Sequence, residues 1–135
     1  MDLRGYLGKY GIIVRELSIL KERISRLRED KYGVEAFFIK EVRSKKLEER
    51  ISSVVAQIDV LEQYYLTEVV KGLFMKYEYH MLFESLKDPD ERTVMELRYI
   101  DLMGWDDISL KMNFSLRNCY YLHKKALTSL ERLAS

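Results

Sequence analysis

At 135 residues the chain has room for one, or at most two, small domains. Lys plus Arg (23) and Asp plus Glu (22) nearly cancel, so no global charge draws it to nucleic acid. A single cysteine, Cys119, excludes an intramolecular disulfide framework and fits a reducing cytosol. No apolar run reaches membrane-spanning length and the charged N-terminus lacks a signal-peptide pattern, so a soluble cytoplasmic protein with no membrane partner is expected. One proline, six glycines and a charged third favour an all-α fold.

From Leu3 to Leu27 two apolar series recur every seven residues: Leu3, Tyr10, Leu17, Ile24, and Tyr6, Ile13, Leu20, Leu27. Together they form one stripe, with Arg15, Glu16, Lys21, Glu22, Arg23 and Arg26 on the remaining surface, which predicts an amphipathic helix of coiled-coil character. Gly5, Gly8 and Gly11 weaken the first turns and suggest that order begins after them. Lys31 to Ser44 interrupts the pattern. Tyr32-Gly33 reads as a stop, and Ala36-Phe37-Phe38-Ile39 suits either a loop pinned by its phenylalanines or one turn of helix.

A second long amphipathic segment runs from about Lys45 to Leu86. Leu47, Ile51, Val54, Ile58, Leu61 and Tyr65 keep spacings of four and three; Leu66, Val69, Val70, Leu73, Tyr77 and Met81 then drift round the helix, with Gly72 as a candidate bend. Such a rod, roughly 60 Å long if continuous, cannot bury its stripe alone. The N-terminal helix is its natural antiparallel partner. Residues 1–87 are therefore expected to form a long helical hairpin for oligomerisation or partner binding, and its leftover apolar edges favour a homodimer.

Residues 88–135 read as three short helices. Asp88-Pro89-Asp90-Glu91 supplies an N-cap, a proline at the first helical position and a glutamate three residues after the cap, the pattern of a capping box. Val94, Leu97 and Ile100 share one face, and Gly104 ends that helix. Trp105 to Met112 starts again, with Asp106 and Asp107 favoured by the helix dipole. Asn113-Phe114 makes a tight connection, since Asn tolerates the left-handed conformation. Ser115 caps a third helix whose inward residues are Cys119, Leu122 and Ala126. Charge is divided within this third of the chain. Asp88, Asp90, Glu91, Glu96, Asp101, Asp106 and Asp107 outnumber Arg92 and Arg98, whereas Arg117, Lys124, Lys125 and Arg132, with His123 beside them, face only Glu131.

Two helices joined by so short a turn form a helix-turn-helix, whose second helix lies in the DNA major groove. Glu96-Leu97-Arg98-Tyr99, Trp105-Asp106-Asp107-Ile108, and Phe114-Ser115 through Lys125-Ala126-Leu127 resemble region 4 of sigma-70-type factors, which reads the −35 promoter element. Over the whole chain, Arg98-Tyr99-Ile100, Gly104 through Ile108 and His123-Lys124-Lys125-Ala126-Leu127 are similar to small phage-borne transcriptional regulators of Gram-positive bacteria, with RinA and ArpU as more distant relatives. The resemblance implies that Arg117, Asn118, Tyr120 and Tyr121 face the groove, where Arg117 suits guanine and Asn118 adenine. Tyr120 and Tyr121 suit a thymine methyl or a phosphate. Lys124 and Lys125 suit the DNA backbone. Leu116 and Tyr120 stand where the family is usually charged or long and polar, so the standard −35 sequence is not the expected target.

For any one of these side chains, solvent exposure is explanation enough. Six of them on the outward face of one helix favour contact with double-stranded DNA. Trp105, Ile108 and Phe114 read as core. No catalytic residue, cofactor or metal site is expected: the chain has two histidines, one cysteine and no glycine-rich phosphate loop, His80 reads as structural or solvent-edge, and nothing near His123 and Cys119 completes a metal site. The expected function is that of a sequence-specific, DNA-binding transcriptional regulator from a phage or mobile element, and not an enzyme. Two alternatives stay open. One is a sigma-like module that binds RNA polymerase or another protein without reading DNA; the other is a DNA-packaging or replication accessory.

Overall fold

A computed structural model describes residues 2–40 and 45–134. Among these the fold is all-α, with five helices in the order α1 (Leu3–Lys40), α2 (Lys45–Glu84), α3 (Pro89–Tyr99), α4 (Trp105–Met112) and α5 (Leu116–Ala134). Residues 1–13 and 72–135 form one compact unit and residues 14–71 another. The division thus falls within the long helices and not at the turn before α3. The reason is packing: Leu3, Leu7, Tyr79, Phe83 and Leu86 share a core with Met95, Ala126, Leu127 and Leu130.

The expectation of a delayed start to α1 is not met. The Asp2 side chain accepts from the Gly5 N–H at 3.1 Å, satisfying one orphan donor of the first turn. Leu3 and Leu7 are then buried in the core, and burial of two leucines outweighs the roughly 1 kcal/mol that each helical glycine costs. Tyr32-Gly33 does not stop the helix either, which runs on to Lys40 with no proline to break it. Residues 41–44, and the side chains of Ala36, Phe37, Phe38, Ile39 and Leu47 named above, lie outside the described residues.

In the unit of residues 14–71, Leu20, Ile24 and Ile58 are buried, and an ion pair joins Arg28 to Glu62. Val60, Tyr64, Leu66 and Val70 stay exposed there. In the other unit, Tyr6 donates to Glu78 at 2.7 Å, and a β-carbon on Gly72 would lie 3.5 Å from Ile13. Gly72 is therefore a point of close approach between α1 and α2, and α2 continues through it. The buried stripe of α2 in this unit runs through Gly72, Tyr79 and Phe83, with Leu86 buried just past the helix end, while Leu73, Phe74, Tyr77 and Met81 are left outside. Helix α2 has two apolar faces here, and hydrophobic periodicity alone ranks neither above the other.

Arg92 donates to the Leu86 carbonyl at 2.7 Å and closes the turn into α3. Asp88 caps α3 by accepting from the Asp90 N–H at 2.9 Å. The capping box is only half formed, because Glu91 turns inward: it is 5% exposed, and its Oε1 is buried without a hydrogen-bond partner.

Candidate nucleic-acid interface

Helix α5 packs against both α3 and α4. Its inward residues Cys119, Leu122 and Ala126 are buried, as the spacing predicts, and Ile108 of α4 meets Cys119 and Leu97 in a small core that Trp105 and Phe114 cover. Local chemistry sets the turn before α5. Asn113 takes the left-handed conformation (φ 57°, ψ 41°), as its amide side chain allows. The Phe114 N–H donates to the Ser109 carbonyl at 3.2 Å, and the Ser109 hydroxyl donates to the Phe114 carbonyl at 2.5 Å. The Ser115 hydroxyl accepts from the Asn118 N–H at 3.1 Å, the expected cap. These bonds fix where α5 starts and hence which residues it presents.

The six residues singled out in the sequence do not share one environment. Arg117, Tyr121 and Lys124 are exposed at i, i+4 and i+7, forming a stripe along the outer side of α5. Asn118 and Lys125 lie on the flank toward α3. There Asn118 is half-buried, and the Lys125 ammonium acts on the Glu91 carboxyl, opposing the upward pKa shift that burial imposes on that acid. Tyr120 lies on the other flank, edge-on to the Trp105 ring with centroids 4.9 Å apart, yet about half of it stays exposed. Leu116, 39% exposed, adds an apolar edge beside the helix start.

The electrostatics of the three short helices differ. Helices α3 and α4 carry acids in their first turns, Asp90 and Glu91, and Asp106 and Asp107. Helix α5 has none, so the positive end of its dipole is uncompensated beside Arg117. Lys111, in the last turn of α4, is also exposed, a basic residue the sequence reading passed over.

His123 does not belong to the positive surface. Its pKa is lowered to about 4, first by burial and then by the nearby cations Arg4 and Arg98, so the ring is neutral near pH 7. It stacks on Tyr99, with centroids 5.7 Å apart, and meets the Trp105 ring at 4.9 Å. The Arg98 guanidinium lies over that same Trp105 ring at 4.8 Å while donating to the Met103 carbonyl at 3.1 Å. The bracket Arg98–Trp105–His123–Tyr99 thus ties the α3–α4 turn to α5. Sequence spacing gives no sign of it, because its members come from three elements.

No curated protein and no solved structure matches the chain. A family model does match, over residues 38–131, which take in all of α2, α3 and α4 and most of α5. The chain belongs to that family, described as a protein of unknown function, DUF1492.

Proposed function

We propose that this protein is a sequence-specific DNA-binding regulator of transcription, of a phage or other mobile element, with α5 as the helix that enters the major groove. The observation that carries this reading is the open stripe of Arg117, Tyr121 and Lys124 at the acid-free start of α5, directly after a short, hydrogen-bonded turn. Arg117 is suited to a bidentate contact with guanine and Tyr121 to a thymine methyl or phosphate; Lys124 is suited to phosphate. Asn118 and Tyr120 are placed at the margins of the same surface. Lys125 contributes less, since its charge already acts on the Glu91 carboxyl of its own chain. The exposed Leu73, Phe74, Tyr77 and Met81 on α2 support self-association, which would give two reading helices for a two-fold site.

The test is fluorescence anisotropy with DNA selected from a random pool, followed across a salt series. Wild-type affinity should fall steeply with salt, and Lys124→Ala should reduce the slope of log K against log salt by about 1. Arg117→Ala should cost about 1–3 kcal/mol and relax the preference at one base pair. Selection that enriches no sequence would end this reading.

A second reading has an observation of its own. Asp101, Asp106 and Asp107 are exposed on the α3–α4 side, beside Leu110, which is 81% exposed, and an acidic surface with an apolar residue suits a basic protein partner such as RNA polymerase. Retention of the chain by polymerase with no binding to any selected DNA would favour it.

A further inference from the structure

Where the end of α2 meets α3, one histidine is set between two carboxylates. His80 and Glu84 lie one turn apart on α2, with Nε2 of the ring 3.6 Å from Glu84 Oε1. Glu96 reaches across from α3 and places its Oε1 3.2 Å from the ring's Nδ1. One ligand atom from each residue lies within 4.8 Å of the other two. All three side chains are partly exposed, at 50%, 55% and 36%, so an ion from solvent can reach them and their rotamers can adjust around it.

Only Nδ1 of the ring is within hydrogen-bond distance of a carboxylate, that of Glu96. A neutral imidazole carries a single N–H, so with that proton on Nδ1 the Nε2 lone pair lies on the Glu84 side, where nitrogen and carboxylate can both donate electrons to a cation. Asp101 lines the adjoining groove and adds negative charge; Lys76 lines it too and is the one cation there among the described residues.

We propose that His80, Glu84 and Glu96 bind a divalent cation of the zinc type. One nitrogen and two oxygen donors form a mixed set that imidazole shifts away from magnesium and calcium and toward the borderline metals. Three protein ligands with donor distances of about 2.0–2.2 Å leave a fourth position for water. A metal held there joins the last turns of α2 to α3, and so fixes the element whose Arg98 braces Trp105. The site owes nothing to the DNA-binding reading and stands or falls apart from it.

The test uses the full-length, tag-free chain, stripped with a chelator and titrated with zinc chloride by calorimetry, with the histidine ring signals followed by NMR. Expected are one site per chain, a zinc-dependent rise in Tm, and perturbation of the His80 ring with that of His123 unchanged. His80→Ala and Glu96→Gln should each weaken binding by roughly tenfold or more, while Glu29→Gln, on the exposed surface of α1 and outside the cluster, should leave it intact. Absence of zinc heat, affinity unchanged in both site variants, or perturbation of His123 in place of His80 would each overturn the proposal. The His80 and Glu96 side chains are exposed enough that the variants are expected to fold, and circular dichroism checks this.

Discussion

The Tyr99 hydroxyl and Nε2 of His123 share a hydrogen bond of 2.6 Å between α3 and α5, at the centre of the bracket that positions the candidate reading helix. The imidazole nitrogen is the far more basic partner, so the natural direction is from the phenol O–H to the ring. That direction requires the ring to be neutral, in keeping with a His123 pKa lowered to about 4. Protonation would place an N–H where the ring now accepts, beside Arg4 and Arg98.

The consequence for stability against pH follows from linkage. Above the unfolded pKa, near 6.5, the ring is neutral in both states and contributes no slope. Between there and about 4 the unfolded chain takes up the proton first, so the folded state loses stability as pH falls; below about 4 the loss is complete. Comparing Tm at pH 7 and 4.5 for wild type and His123→Gln should show a smaller fall in the variant. With allowance for solvent screening of a partly exposed ring, the difference should be roughly 1–2 kcal/mol. Equal falls in the two proteins would show that the ring does not titrate in this window.

Tyr79 gives a prediction at the base of the module. Its hydroxyl is fully buried, accepts from the Tyr10 N–H at 3.2 Å and donates to the Tyr6 carbonyl. These two groups are the pair that helical i to i+4 bonding would join, so the side chain bridges a rung of α1. Tyr79→Phe should destabilise by about 1–2 kcal/mol, less than the loss of two independent bonds, because the rung can close on itself. Hydrogen exchange should show faster exchange of the Tyr10 amide in the variant. Exchange as slow as in the wild type would mean that the bridge does not protect that amide.

How much of this was legible in the sequence depends on the range of the interaction. The limits of α4, the left-handed Asn113 and the Ser115 cap were readable because each rests on residues within one turn of one another. The course of α1 through Tyr32-Gly33 was not, since a helix-weakening pair states a small cost and leaves out whatever opposes it. The buried face of α2 near its end was not legible for a related reason. Both faces are apolar there, and what selects Tyr79 and Phe83 is the position of Leu3 and Leu7, some seventy residues earlier in the chain. At the candidate interface, spacing placed all six residues on the outer half of α5. It did not foresee that Lys125 would act on Glu91, that Tyr120 would brace Trp105, or that burial, helped by Arg4 and Arg98, would hold His123 neutral.

Glu91 carries a cost that a substitution can remove. Burial raises its pKa first of all; Lys125 opposes the shift and Asp88 adds to it, and one carboxyl oxygen has no partner. An acid raised in the fold contributes its full stability below the unfolded pKa and loses it as pH rises through the folded one. At pH 7, then, the ionised form is held at a disadvantage. Glu91→Gln, which keeps the shape and sheds the charge, should raise stability by about 1 kcal/mol at pH 7. The gain should fade below pH 4, where the native acid is protonated. Urea unfolding at the two pH values measures both, and a variant less stable than wild type at pH 7 would mean that the attraction of Lys125 outweighs desolvation.

The exposed face of α2 leads to the last prediction, which concerns assembly. Leu73, Phe74, Tyr77 and Met81 are 61%, 68%, 63% and 52% exposed, on the side of the helix away from the buried Gly72, Tyr79 and Phe83. Single exposed apolar residues are ordinary, but four within about two turns of one helix make a contiguous patch. Covering it with the same patch of a second copy would remove large apolar side chains from water on both partners, each contributing about 1.5–3 kcal/mol if fully buried. The proposed homodimer should therefore appear in light scattering at micromolar concentration. Phe74→Glu with Tyr77→Glu should shift it to monomer without loss of helical signal, because neither side chain supports the core of its own chain. If the dimer is the DNA-binding form, the same pair of substitutions should weaken binding to a two-fold site far more than to a half-site. Equal weakening on both would separate assembly from recognition, and a wild-type chain that stays monomeric up to high micromolar concentration would remove the dimer from the proposal.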